Sequence, residues 1–128
     1  MTLILDAGGV SALAGQQARL LGLRRQGHWP AQVPAVVLAE ALTGDHRRDF
    51  HVNRLLRACQ IRPVTELQAR EAARLRSATG RAGKISAADA IVAAVASGYP
   101  DPIVLTSDPR DLAALVAHAS QPIEVVPV

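Results

Sequence analysis

Four carboxylates in this 128-residue sequence stand among apolar neighbours, where a solvated surface would not place them. Asp6 and Asp108 each follow a short, mostly apolar run, and Glu40 and Asp89 lie within runs of small and apolar residues. A carboxylate in such surroundings is usually paired, neutralised or metal-bound, because an isolated buried charge is too costly. Acids from four distant segments therefore favour one pocket that holds a hard divalent cation through oxygen ligands.

The rest of the chain is basic and suits a polyanionic partner. There are 14 Lys+Arg against 11 Asp+Glu, a formal net charge of +3 and an isoelectric point near 10.0. Metal-assisted chemistry on a nucleic acid would reconcile an acidic pocket with a basic surface. Lys84 is the only lysine, and an excess of arginine either suits bidentate phosphate binding or reflects genomic base composition.

Several classes of protein are excluded or disfavoured by composition. The single Cys59 allows neither an internal disulfide nor a cysteine-based zinc site. No apolar run approaches the ~20 residues of a membrane span. The N-terminal residues lack the basic region and cleavage site of a secretory signal. We therefore expect a cytoplasmic protein.

The elements that must position the four acids alternate between strand and helix. Strands are predicted at 3–5, 33–36, 60–64, 103–106 and 123–126, and helices at about 10–27, 37–42, 45–58, 65–78, 86–97 and 109–117. This alternation predicts an α/β fold of one domain over 1–128, a three-layer α/β/α arrangement with a central, mostly parallel five-stranded sheet. Ligands of such sheets bind beyond the carboxyl ends of the strands, where Asp6 and Asp108 fall.

Each acid taken alone also has a purely structural explanation. Asp108 and Asp6 could simply cap the helices that follow them, and Pro109 strengthens this reading for Asp108. Asp89 could complete a capping arrangement with Ser86, and Glu40 could lie on the exposed stripe of a short helix. The joint order is more specific, since one acid follows each of two strands and one lies on each of two helices rich in small residues.

That order resembles the PIN-domain family of metal-dependent ribonucleases, and within it the VapC toxins of prokaryotic toxin–antitoxin pairs. The segments that carry the resemblance span most of the chain: 3–7, 36–40, 85–94 and 104–112. It implies a PIN fold in which Asp6, Glu40, Asp89 and Asp108 are catalytic and hold one or two Mg²⁺ or Mn²⁺ ions, with Asp6, Asp89 and Asp108 as the metal ligands. One departure is Gly8-Gly9, where the family often has a small hydroxyl residue; backbone N–H groups could take over its hydrogen bond.

Residues beside the acids are candidates for contact with RNA. We expect substrate contacts from Arg81, Lys84 and Arg110, and Thr106 could support a metal ligand or contact phosphate. Asp111 is a possible fifth acid, although a favourable position at a helix start explains it better.

The resemblance also implies partners: a tRNA or rRNA substrate, a cognate VapB-like antitoxin, and a second copy of the chain in a homodimer. We expect an apolar helix of the antitoxin to lie between the helices at 37–42 and 45–58, against Phe50, Leu55 and Leu56. The main alternative is a PIN-like RNA- or protein-binding module with no toxin role or cleavage activity. The presence of all four acids counts against it.

Other α/β enzymes fit less well. A phosphatase of the haloacid dehalogenase type needs a second acid where Gly8 stands, and a receiver domain needs a phospho-acceptor aspartate after its third strand, where Pro63-Val64-Thr65 supplies none. The residues after Asp6 do not complete a dinucleotide-binding glycine motif.

Overall fold

The computed structural model describes all 128 residues and contains five strands and seven helices. The strands are β1 (Thr2–Leu5), β2 (Gln32–Pro34), β3 (Gln60–Arg62), β4 (Pro102–Thr106) and β5 (Glu124–Pro127). The helices are α1 (Ala7–Ala14), α2 (Gln17–Arg25), α3 (Val37–Ala41), α4 (Phe50–Arg57), α5 (Glu66–Ala78), α6 (Ala87–Ala96) and α7 (Pro109–Val116). None of the helices combines the length and apolar character that crossing a membrane requires.

The strands form one sheet in the order β3-β2-β1-β4-β5, and every neighbouring pair is parallel. The predicted five-stranded sheet is confirmed. The chain runs outward from β1 to β3, then crosses back to β4, so the direction of strand order reverses between β1 and β4. These two strands are aligned from Thr2 opposite Pro102 to Leu5 opposite Leu105. The residues that follow them therefore emerge side by side at the same edge of the sheet.

The same reversal puts helices on both faces of the sheet. Right-handed connections that run in opposite directions along a sheet lie on opposite faces. Helix α1 accordingly contacts α2, α3 and α4, whereas α5, α6 and α7 pack against one another. The fold is thus the expected three-layer α/β/α arrangement. β1 and β4 lie at its centre, and all their apolar side chains except the half-buried Ile103 are buried, as is typical of parallel strands.

Two helices differ from their predicted extents. The continuous helix expected over 10–27 is broken after Ala14, where the N–H of Gly15 turns back to the carbonyl of Ala12. The helix expected from Asp45 begins only at Phe50. The buried Asp49 carboxylate accepts hydrogen bonds from the Thr43 and Gly44 N–H groups at 2.8–3.0 Å and stabilises a turn instead. Local side-chain bonds of this kind compete with helical ones.

The shape of α4 also corrects the groove predicted for an antitoxin helix. Leu55 and Leu56 are buried in the core, and Phe50 alone of the three is exposed, at 57%. A groove on this side of the molecule lies instead between α4 and the α1–α2 pair. Its lining includes Leu13, Leu20, Arg24, His51 and Arg54, together with Leu55, one of the three residues predicted to contact the antitoxin helix.

Candidate active site

Asp6 is fixed at the point where β1 ends and α1 begins. Its carboxylate is 4% exposed and caps α1 by accepting the Gly9 N–H at 2.7 Å. The backbone thus provides the hydrogen bond that a hydroxyl side chain would otherwise make. Gly9 also brings α1 close to β4, since an added Cβ there would overlap the carbonyl oxygen of Leu105.

Thr106, the last residue of β4, connects the first and last of the predicted acids. Its hydroxyl donates a hydrogen bond to Oδ2 of Asp6 and accepts one from the Asp108 N–H at 2.9 Å. The side chain is completely buried. Thr106 therefore supports the acids, and the phosphate contact considered for it is not available in this arrangement.

The acids of this site lie at helix starts, so a position at a helix cap and a place in the acidic site occur together in this protein. Asp108 caps α7 by accepting the Asp111 N–H at 3.5 Å, and Ser86 caps α6 by accepting the Asp89 N–H at 3.1 Å. Three helices, α1, α6 and α7, thus begin at the site. Their N-terminal dipole ends partly offset the repulsion among the carboxylates.

The tightest group of acids comprises Asp89, Asp108 and Asp111, each with a carboxylate oxygen within 4.8 Å of the other two. The sequence favours Asp111 least among the acids, yet α7 places its carboxylate in the same group as that of Asp108. Asp6 lies outside this set of three, although its negative charge reaches Asp89. Glu40, on α3, is exposed and contributes a weaker repulsion at Asp89.

The electrostatics of the site favour a cation. The pKa of Asp89 is raised to about 6, chiefly by burial; a hydrogen bond with Ser86 lowers it, and the charges of Asp6, Asp108 and Glu40 add to the rise. Burial likewise raises the pKa of Asp6, with a smaller contribution from the charge of Asp108. Crowded carboxylates that resist ionisation gain most when a positive ion joins them.

The predicted RNA contacts differ in their surroundings. Lys84 and Arg110 are exposed and take part in no ion pair. Arg81 instead contacts the acidic group, with Nη2 3.3 Å from Oδ1 of Asp111. This contact joins residues 30 positions apart, and no pattern in the sequence indicates it.

Other side chains that could do chemistry have structural roles. The Trp29 indole donates to the Ala58 carbonyl at 2.8 Å and lies under the Arg24 guanidinium, and the Tyr99 hydroxyl donates to Gln32. Burial raises the pKa of Cys59 to about 11, so its thiol stays protonated and is a poor nucleophile.

The fold, with acids gathered at the switch point of a parallel sheet, is that of a PIN domain. The sequence matches the PIN domain family over residues 26–117, and the chain belongs to this family. The match begins after Asp6 and includes Glu40, Asp89, Asp108 and Asp111. No curated protein matches the sequence at a significant level.

Solved structures with the same fold include chains of VapBC and FitAcB. The chain is similar to one in the DNA-bound VapBC complex of Salmonella typhimurium, with 13% identity, a TM-score of 0.73, and coverage of 99% of this chain and 98% of that one. PAE2754 of Pyrobaculum aerophilum gives 20% identity, a TM-score of 0.65, and coverage of 97% and 83%. A chain of FitAcB from Neisseria gonorrhoeae gives 21% identity, a TM-score of 0.63, and coverage of 96% of this chain and 95% of that one. At these identities the likeness establishes the fold.

Proposed function

We propose that this protein is a metal-dependent endoribonuclease and the toxin of a toxin–antitoxin pair. Its catalytic carboxylates are Asp6, Glu40, Asp89 and Asp108, within a single PIN domain over 1–128. The observation that carries the proposal is the acidic group at the β1–β4 edge, in a chain whose family consists mainly of nucleases. Its basic surroundings suit RNA as the polyanion that is cut.

The donors at this edge fit Mg²⁺ or Mn²⁺. Both ions prefer carboxylate oxygens and bind them at about 2.1 Å, so one ion can join oxygens up to about 4.2 Å apart. The 4.8 Å group of Asp89, Asp108 and Asp111 needs only a small contraction to meet this limit. Asp6 and Asp89, whose pKa values are raised, and Asp108 are the proposed ligands, with Asp111 as a further candidate. A bound ion would lower the pKa of a water molecule and offset negative charge on the phosphoryl oxygens.

The chain's own residues position these ligands and the RNA. Thr106 and the Gly9 N–H hold the Asp6 carboxylate from two sides, so that its orientation is fixed before any ligand arrives. Lys84 and Arg110 lie on segments adjoining Asp89 and Asp108 and have no acidic partner, which leaves them free to bind phosphates.

RNA cleavage with and without metal tests the catalytic proposal. Purified protein is incubated with structured tRNA and rRNA in EDTA, in Mg²⁺ and in Mn²⁺, and the products are resolved by mapping RNA 5′ ends. We expect discrete cuts in either metal and none in EDTA. RNA binding without cleavage in both metals would instead favour a PIN-like binding module with no cleavage activity.

A cognate VapB-like antitoxin is the proposed partner, and similarity to chains of VapBC and FitAcB supports it. The groove between α4 and the α1–α2 pair offers Leu13 and Leu20 as its apolar floor and Arg24 and Arg54 as cations. Its occupant is therefore proposed to be an amphipathic antitoxin helix that carries acidic residues. We also propose that the toxin acts in the cytoplasm as a homodimer.

Co-expression tests this partnership. The neighbouring small gene product should copurify with the chain and suppress RNA cleavage. Leu20→Asp, which places a charge in the groove, should release it, whereas Leu67→Asp on the far side of the molecule, an exposed position on α5, should not. Copurification that is equally strong in both variants would remove the groove assignment. Isolation of an unaffected, fully active monomer would remove the toxin assignment.

A further inference from the structure

The acidic group, which comprises Asp89, Asp108 and Asp111, forms an ion pair with an arginine of the same chain. The Arg81 guanidinium meets Asp111 at 3.3 Å, and Asp111 shares the 4.8 Å group with Asp89 and Asp108. The two other ion pairs in the structure join residues one turn apart on α5. The Arg81 pair is the long-range one, and it lies where the metal is proposed to bind.

The backbone of Arg81 is fixed by its own loop. Its N–H donates to the Thr79 hydroxyl at 3.0 Å, and its carbonyl accepts from Lys84 and Ile85 N–H groups at 2.8 and 3.1 Å. The side chains of Arg81 and Asp111 are 37% and 19% exposed. Solvent and salt therefore screen this pair less than they screen the pairs on α5.

A guanidinium group cannot be deprotonated in a protein, so Arg81 leaves Asp111 only by moving away. A divalent cation that binds Asp111 must either displace the Arg81 guanidinium or bind in spite of the repulsion between the two positive charges. We propose that Arg81 is a built-in counter-ion of the acidic group, which competes with the divalent cation for Asp111 and so lowers the affinity of the site for metal. This inference rests on the proposed function, because it assumes that the cation binds at these acids.

The competition links metal binding to RNA binding. In the metal-free protein, Arg81 reduces the repulsion among Asp89, Asp108 and Asp111. When a divalent cation reduces this repulsion instead, the Arg81 guanidinium is released from Asp111. It then lies at the edge of the site, where it can bind a phosphate. Arg81 therefore opposes metal binding in the free protein and favours RNA in the loaded one.

Direct titration of Mn²⁺ into the RNA-free protein, by calorimetry or by electron paramagnetic resonance, tests the inference without measuring cleavage. Arg81→Gln should lower the Kd for Mn²⁺ by about 3- to 10-fold, the range for removal of one partly screened repulsive charge. Arg81→Lys keeps the charge and should stay within about twofold of wild type. Lys84→Gln removes another positive charge from the same loop, but Lys84 forms no ion pair. The Kd of this variant for Mn²⁺ should also stay within about twofold of wild type.

A double-mutant comparison shows whether the effect passes through Asp111. In an Asp111→Asn background, Arg81→Gln should tighten Mn²⁺ binding by less than about twofold, since coupled residues are non-additive. An equal tightening in both backgrounds would overturn the counter-ion role at Asp111. So would a wild-type protein that binds Mn²⁺ but whose affinity is unchanged or weakened by Arg81→Gln. A wild-type protein that binds no Mn²⁺ would instead remove the proposed function itself.

Discussion

The hydroxyl of Thr106 donates a hydrogen bond to the carboxylate of Asp6, joining residues 100 positions apart. The same hydroxyl accepts the Asp108 N–H, so one buried side chain sets the positions of two proposed catalytic acids. The arrangement depends on the parallel pairing of β1 with β4, which brings the ends of both strands together.

Removing this hydroxyl should damage the site more than the fold. Thr106→Val leaves the partly buried Asp108 N–H without an acceptor and Oδ2 of Asp6 without its donor, which should lower stability by about 1–3 kcal/mol. RNA cleavage should fall by about 10²-fold, because the acids are no longer held in place. Thr106→Ser keeps the hydroxyl and serves as the control, with most of the activity retained. Denaturant unfolding and single-turnover cleavage measure the two effects, and a Val variant as active as the Ser variant would contradict the role of the hydroxyl.

Asp89 should give the metal-free protein a characteristic dependence on pH. Its pKa is raised from 3.8 to about 6 in the folded state, so between these values the unfolded chain loses the proton first. The contribution of Asp89 to stability is therefore fully present below pH 3.8 and is lost as pH rises through about 6. Asp89→Asn should remove this loss, and at neutral pH the metal-free variant should unfold at a higher temperature than wild type.

The quantity to compare is the difference in Tm between wild type and Asp89→Asn, measured at each pH. Asp49 and Glu71 have lowered pKa values, because Thr43 and Arg74 respectively hydrogen-bond their ionised forms, and they act in the opposite direction. Their effects cancel in the difference. A difference in Tm that stays constant from pH 4 to pH 7 would show that Asp89 has an ordinary pKa.

Close packing of α1 on β4 should make Gly9 intolerant of any side chain. Gly9→Ala forces the new Cβ against the Leu105 carbonyl, and we expect a loss of about 1–3 kcal/mol from overpacking. Gly22, within α2, has open space around it, and Gly22→Ala should be neutral or stabilise by up to about 1 kcal/mol. Chemical denaturation of both variants decides the matter, and equal stabilities would contradict the close approach.

The parallel sheet and the position of Asp6 and Asp108 at its edge were predictable from the sequence, because both depend on local patterns. Apolar runs such as 3–5 mark buried strands, and an acid directly after such a run must lie at the edge of the sheet. The contacts of Asp111 and Asp49 were not predictable, since each depends on how a turn folds back. The break at Gly15 was not predictable either, because the apolar periodicity of the sequence continues through it. Leu55 and Leu56 appear in the sequence as excess apolar surface, and only the tertiary structure shows that α1 packs against α4.

Cleavage of RNA by wild type, Asp6→Asn and Asp108→Asn in Mg²⁺ and Mn²⁺ is the most direct test of the proposed metal-dependent nuclease site. Each variant keeps the shape of the side chain and removes one charge from a crowded acidic site, so the metal-free fold should be intact or slightly more stable by circular dichroism. We predict that wild type cuts RNA in both metals and that neither folded variant does. Cleavage by either variant at a rate near that of wild type would show that these carboxylates are not the catalytic metal site.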